Sequence, residues 1–279
     1  MPSFVTAIRT APTVALALLI LPVLLGLAGV VAPAFGWHPA LGGETWTLAH
    51  WQALGNTPGL VDMIRLSLFT GLASALATFG IVALCLATFL ETRAFGAIRR
   101  LLSPLLAVPH AAAAIGLAFL LTPSGLASRL VSPWLSGWVY PPDYLFPGDS
   151  LGLALALGLT LKEIPFLLLM SLAALPQCRA GERLMMARAL GYGRINAFLK
   201  GVLPALYPLI RLPLYAVIVF ATANIEVAMI LGPSTPPPLA VAVVRWLGDP
   251  DLAMRFQAAA GALLQLGVTA GALLIWWLG

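Results

Sequence analysis

Four ionisable residues, His110, Lys162, Glu163 and Glu226, fall in stretches of the chain that are otherwise apolar. A charge in such a setting is expensive to keep and marks a functional candidate by default. An amine with carboxylates can relay protons or sodium, and carboxylates alone favour a cationic solute. Lys162 and Glu163 are adjacent, so on a helix they point about 100° apart and cannot share a face. Each therefore needs its own partner or a water-lined cavity. Glu226 follows Arg211 by about four helical turns, too far for a local pair. Two uses compete for Glu163 and Glu226: lining the outer half of a pathway, or locking helix packing through hydrogen bonds. His110, within VPHAAAAIG, has a similar choice between a translocation path and a bond to a backbone carbonyl.

A second polar concentration runs from Pro176 to Pro204 and holds Arg179, Arg183, Arg188, Arg194 and Lys200, five of the 15 basic residues. Its centre reads as a helix (ARAL), a glycine turn (Gly191-Tyr192-Gly193) and a second helix (RINAFLK). Glycine supplies the positive φ that ends one helix and permits a reversal into the next. Leu203-Pro204 closes the segment, because proline is tolerated in the first turn of a following helix.

The elements that must position these residues are membrane spans. The chain has 279 residues, 61% hydrophobic and 9% charged, with a mean hydropathy of +0.98. That charge content excludes an ordinary soluble domain. At about 20 apolar residues per crossing, the sequence predicts an all-α membrane protein forming a single transmembrane domain. Its six spans are expected near 13–35, 62–90, 104–121, 151–175, 204–231 and 254–278. Residues 122–150, rich in Pro and aromatics, read as an interfacial or partly re-entrant segment. Arg9 and Ala32-Pro33-Ala34 loosely resemble a signal peptide, but the long apolar run and five further spans argue against cleavage. Arg9, Arg93, Arg99, Arg100, Arg179, Arg183, Arg188, Arg194 and Lys200 fall on one side of this layout. Arg65, Arg129, Arg245 and Arg255 fall on the other, with most of the acidic loop residues. The positive-inside rule then places both termini and the 176–203 loop in the cytoplasm.

Several chemistries lack their residues. There is no G-x-x-x-x-G-K-[ST] loop for ATP, no H-E-x-x-H and no G-x-S-x-G. His38, His50 and His110 are scattered, and Cys85 and Cys178 are poorly placed for a disulfide or a metal. The basic residues sit in short loops between spans, which is not a nucleic-acid pattern. The expectation is no cofactor, no metal and no catalytic residue.

The 176–204 segment resembles the cytoplasmic signature of the permease subunits of type I ABC importers: EAA, a glycine four residues on, and LP about a dozen residues later. Met185-Met186-Ala187 stands at the triplet, Gly191 at the glycine and Leu203-Pro204 at the end. Met185 replaces the usual Glu, so a salt bridge made by that Glu does not carry over. The resemblance extends from Leu105 to the C-terminus. With LGPSTPPPLAV (231–241), it is nearest the iron(III)/thiamine/polyamine branch, some members of which fuse two halves in one chain. It implies a coupling helix docked on an ATP-hydrolysing subunit. Ala187, Leu190 and Gly191 would form its close-packed face, with Tyr192, Ile195 and Phe198 as apolar knobs. Arg188 and Arg194 would steer docking from the rim. It also implies two ATPase subunits, a second permease half, an extracytoplasmic solute-binding protein and alternating access for a small cation. The chain ends at Gly279 without a basic tail, which fits either a subunit without one or the first half of a fused polypeptide. The principal rival is an ion-gradient-driven transporter using Lys162, Glu163 and Glu226, for which a broken helix and often an inverted repeat are expected; the sequence shows neither, and the 176–204 segment would then be unexplained. The other is a non-transporting membrane scaffold.

Overall fold

The structure is a computed structural model describing residues 2–279, with side chains described from Ala11 onward. Arg9, counted above with the cytoplasmic charges, lies outside the described side chains. The chain opens with α1 (Pro2–Ala34). A two-stranded antiparallel ribbon follows, β1 (Trp37–His38) and β2 (Gly43–Glu44), pairing Trp37 with Glu44. Then come α2 (Ala49–Gly55), α3 (Leu60–Phe89), α4 (Arg93–Ala107), α5 (His110–Leu121) and α6 (Leu126–Val131). After an irregular stretch come α7 (Leu153–Ala174), α8 (Ala180–Ala189), the short α9 (Arg194–Ala197) and a π turn over Phe198–Val202. The remainder is α10 (Leu203–Thr222), α11 (Glu226–Leu231), α12 (Leu239–Leu247) and α13 (Met254–Leu278). The fold is all-α apart from the two-residue strands.

Among the described residues, six segments are long and apolar enough to cross a membrane: Ala11–Ala34, Leu60–Phe89, His110–Val131, Leu153–Ala174, Arg194–Thr222 and Met254–Leu278. Two of them differ from the sequence expectation for a physical reason. The third starts at His110, not at 104, and residues 93–107 form a separate helix. Pro109 has no N–H and draws Val108 into an extended conformation (φ −67, ψ 125). Arg93, Arg99 and Arg100 therefore sit on α4 and not in a loop. The fifth, expected as one helix over 204–231, breaks at residues 223–225. Asn224 Oδ1 accepts the Val227 N–H at 2.8 Å and starts α11 as a fresh helix.

The chain divides into two compact units, one of Met1–Leu60 with Ala242–Leu266, the other of Val61–Val241 with Gly267–Gly279. In the larger unit, helices approach closely where side chains are small. A Cβ on Gly71 would collide with Thr222, and one on Gly158 with Leu231. Buried hydroxyls bond within their own helices, as Thr160 does to the Ala156 carbonyl (2.7 Å) and Ser171 to that of Leu167 (2.7 Å). Asp149 starts α7 by accepting the N–H groups of Leu153 (2.6 Å) and Ala154 (2.9 Å). Ser67 Oγ on α3 accepts the Leu239 N–H of α12 at 3.0 Å. The principal core joins α3, α7 and α10 to the 176–203 segment through Leu86, Leu167, Leu184, Phe198 and Leu206. The smaller unit has its own core around Ala34, Leu54 and Ala260, with Phe35, Trp51 and Trp246 packed against it.

Candidate functional site

The break between α4 and α5 explains the paired charges of α7. Leu105 lies four residues before Pro109, so its carbonyl lacks the N–H that would complete a helical bond. Lys162 Nζ donates to that carbonyl at 3.0 Å. The next residue, Glu163, turns its carboxylate to His110, the first residue of α5, with Oε1 3.5 Å from Nε2. A cation thus meets the C-terminal end of α4, the favourable sign for the helix dipole there, while Glu163 faces the first side chain of α5. Both α7 side chains are buried. Beside them lies a cavity of about 270 Å³ that also touches Leu106, Phe166 and Phe220. The His110 ring leans on Phe220, with centroids 4.8 Å apart.

Glu226 comes to the group from another helix, and its charge acts on His110, the partner of Glu163. It is exposed in the first turn of α11, just past the second helix break, and does not line the Lys162–Glu163 cavity.

The 176–203 segment is a helix, a tight turn and a second helix. Gly191 adopts φ +84, and α8 closes as the Tyr192 N–H reaches the Ala187 carbonyl (3.2 Å) and the Gly191 N–H that of Arg188 (2.9 Å). A Cβ at Gly191 would meet no other atom, so the glycine is needed for its backbone angle and not for room. The apolar residues split into two sets. Ala187 and Phe198, expected on a docking face, are instead buried in the chain's own core. Small size and helical spacing place Ala187 against Gly201. Met185, Met186 and Leu190 are 67%, 62% and 78% exposed, joined by Tyr192 and Ile195. Lys200 Nζ lies over the Tyr192 ring, 5.0 Å from its centroid. Arg188 is not a free rim charge, because it pairs with Glu91 beyond the end of α3. Arg194 is exposed, Leu203 half-buried and Pro204 exposed. Burial pushes the Cys178 thiol at the start of this segment above its usual range.

Sequence reasoning missed the partners of these groups more than the groups themselves. Glu91 stood in ETR directly after the second span, but nothing local tied it to Arg188. The Leu105 carbonyl could have been found by asking what Pro109 leaves unpaired.

Six helices long and apolar enough to cross a membrane, among the described residues, define a multi-pass membrane protein. No protein-family model matches the chain. It is 28% identical over 252 residues to the inner membrane ABC transporter permease protein YnjC of Escherichia coli (strain K12). That match takes in 90% of this chain and 47% of the relative, so the chain spans about half the length of the curated relative it matches. The likeness is to an ABC transporter permease and an inner-membrane setting. It does not reach as far as the iron(III)/thiamine/polyamine branch.

Proposed function

We propose that this chain is a transmembrane permease component of an ATP-driven importer and has no catalytic activity of its own. One observation carries the reading. A helix–turn–helix anchored by buried Ala187 and Phe198 leaves an apolar strip of Met185, Met186, Leu190, Tyr192 and Ile195 uncovered. Such a strip on a basic, polar segment marks a protein contact. In a chain similar to an ABC permease over most of its length, the fitting partner is the ATPase subunit, with α8 and the Gly191 turn as coupling helix. Arg194 and the Arg188–Glu91 pair then sit at the rim. A second permease half would complete the pathway, as a copy, a different protein or the rest of a fused chain. An exposed carboxylate such as Glu226 beside a spanning helix is unfavourable against lipid, which supports a protein or water-lined neighbour there. A solute-binding protein would deliver a small cation of the thiamine, polyamine or iron(III) kind, and ATP-driven closure would alternate access.

The test is purification in mild detergent from the native membrane, with partners identified by mass spectrometry. Co-purification of a P-loop ATPase, lost in Leu190→Asp and weakened in Gly191→Val, supports the reading. An ATPase retained equally in both variants, or never found, overturns it.

The helix breaks at 108–109 and 223–225 favour keeping one alternative, a carrier driven by an ion gradient, since such breaks recur at their ion sites. Uptake into vesicles that persists without ATP and collapses with a protonophore would select it.

A further inference from the structure

We infer that the smaller unit carries a binding site for the phosphodiester headgroup of an anionic phospholipid, set between α1, α12 and α13. A cavity of about 360 Å³ lies there. Its walls are apolar and close to the backbone: Gly29, Val30 and Pro33 of α1, Val243 and Leu247 of α12, and Ala258 of α13. Two cationic or hydrogen-bonding side chains break this apolar lining, Arg255 in the first turn of α13 and His38 of the β-ribbon.

Neither is occupied by the protein. Arg255 is exposed, and among the described residues its guanidinium has no ion-pair or hydrogen-bond partner. The His38 Nδ1 atom is shielded from solvent and has no hydrogen-bond partner. The ring stands edge-on to Phe256, 6.3 Å between centroids, and His38 is one of the residues that line the cavity. A guanidinium and an imidazole lining one apolar cavity match the oxygens of a phosphate attached to a hydrocarbon tail.

The location fits that ligand. Both crossing helices change from spanning segment to loop at this level, Ala11–Ala34 ending and Met254–Leu278 beginning there. Trp37 and Trp46 stack at 6.0 Å and 7° beside it, and tryptophans of this kind settle at the headgroup layer. Below it α1 is apolar and exposed on every side over residues 11–29, Leu18, Leu19 and Leu25 included, so an acyl chain can lie against it. A soluble phosphate would use the two polar groups but not that apolar surface.

Native mass spectrometry of the full chain with phosphatidylglycerol, phosphatidylcholine or inorganic phosphate added tests the assignment. Phosphatidylglycerol should be retained over phosphatidylcholine, and Arg255→Gln should lower its occupancy on the order of tenfold, the size of one charge-assisted hydrogen bond. His38→Ala should lower it less, and a spectrum of folded helix by circular dichroism controls for misfolding. The anchoring role of the tail predicts that millimolar inorganic phosphate does not displace the lipid. Equal retention of both lipids, no effect of Arg255→Gln in folded protein, or displacement by inorganic phosphate would each overturn the lipid assignment.

Discussion

The α4–α5 break and the 176–203 segment both gather charge beside a helix interruption, yet they use it in opposite ways. At the break, Lys162 and Glu163 are buried and each has found a partner, a carbonyl and a histidine. In the 176–203 segment, the buried residues are apolar and the outward surface carries exposed methionine and leucine. A charge satisfied inside the chain reports on how the chain is held together. An apolar side chain left in water reports on something the chain has yet to meet. The difference moves the expectation of function from the intramembrane charges toward the polar segment, against the usual presumption that a charge within a span is the working group.

The largest effect is expected within the segment itself. Phe198 is 1% exposed at the junction of α9, α10 and the main core, so Phe198→Ala should lose about 3–5 kcal/mol of stability. Leu190→Ala, on the exposed set, should stay within about 0.5 kcal/mol of wild type. Denaturant titration in detergent measures both, and equal losses would mean that the two apolar sets are not distinct.

The helix-break cluster supplies the next largest effect. Lys162→Met removes the charged donor to the Leu105 carbonyl at the helix break, a loss of about 1–3 kcal/mol. Pro109→Ala restores an N–H four residues after Leu105, so the double variant should recover most of that loss. Strict additivity in this double-mutant cycle would show that Lys162 is not serving the carbonyl, and transport measurements on Lys162→Met would then decide its role in the pathway.

How much of this was legible beforehand depended on range. Six apolar stretches separated by polar loops are a local property, and so is the Gly191 turn, since only a residue tolerant of positive φ ends α8 there. The adjacency of Lys162 and Glu163 already implied two separate partners. Their identity was not legible, because Leu105 and His110 lie more than 50 residues away and a backbone carbonyl leaves no mark in sequence. Pro109 was visible, yet its apolar neighbours made 104–121 read as one span, and hydropathy does not register a missing N–H. The same blindness joined α10 to α11 across Asn224. Ala187 and Phe198 were assigned to a docking surface because helical spacing shows which residues share a face but not which way the face looks.

A smaller effect is expected at the tie that holds the segment to α3. Arg188 and Glu91 are partly exposed, and such pairs contribute about 0.2–1 kcal/mol. Arg188→Gln and Glu91→Gln should each destabilise by that amount at low salt, with a coupling that shrinks at high salt as screening grows. A salt-independent coupling would instead indicate that the hydrogen-bond geometry, and not the charge, holds α8 in place.

The smallest expected change in stability is the most informative about contact. Met185 stands where the resembling family has a glutamate, and it is 67% exposed with no polar partner. Met185→Glu should therefore leave unfolding within about 0.5 kcal/mol of wild type. Docking is another matter. If Met185, Met186 and Leu190 enter an apolar groove, the new carboxylate must give up its water there without a counter-charge, which is unfavourable. The expected outcome is a several-fold loss of co-purifying ATPase, relieved at low pH as the carboxylate takes a proton. A gain of ATPase would mean that the partner groove presents a basic residue to this position. The exposed methionines would then be the rim of the contact, and its centre would have to be sought nearer Tyr192 and Ile195.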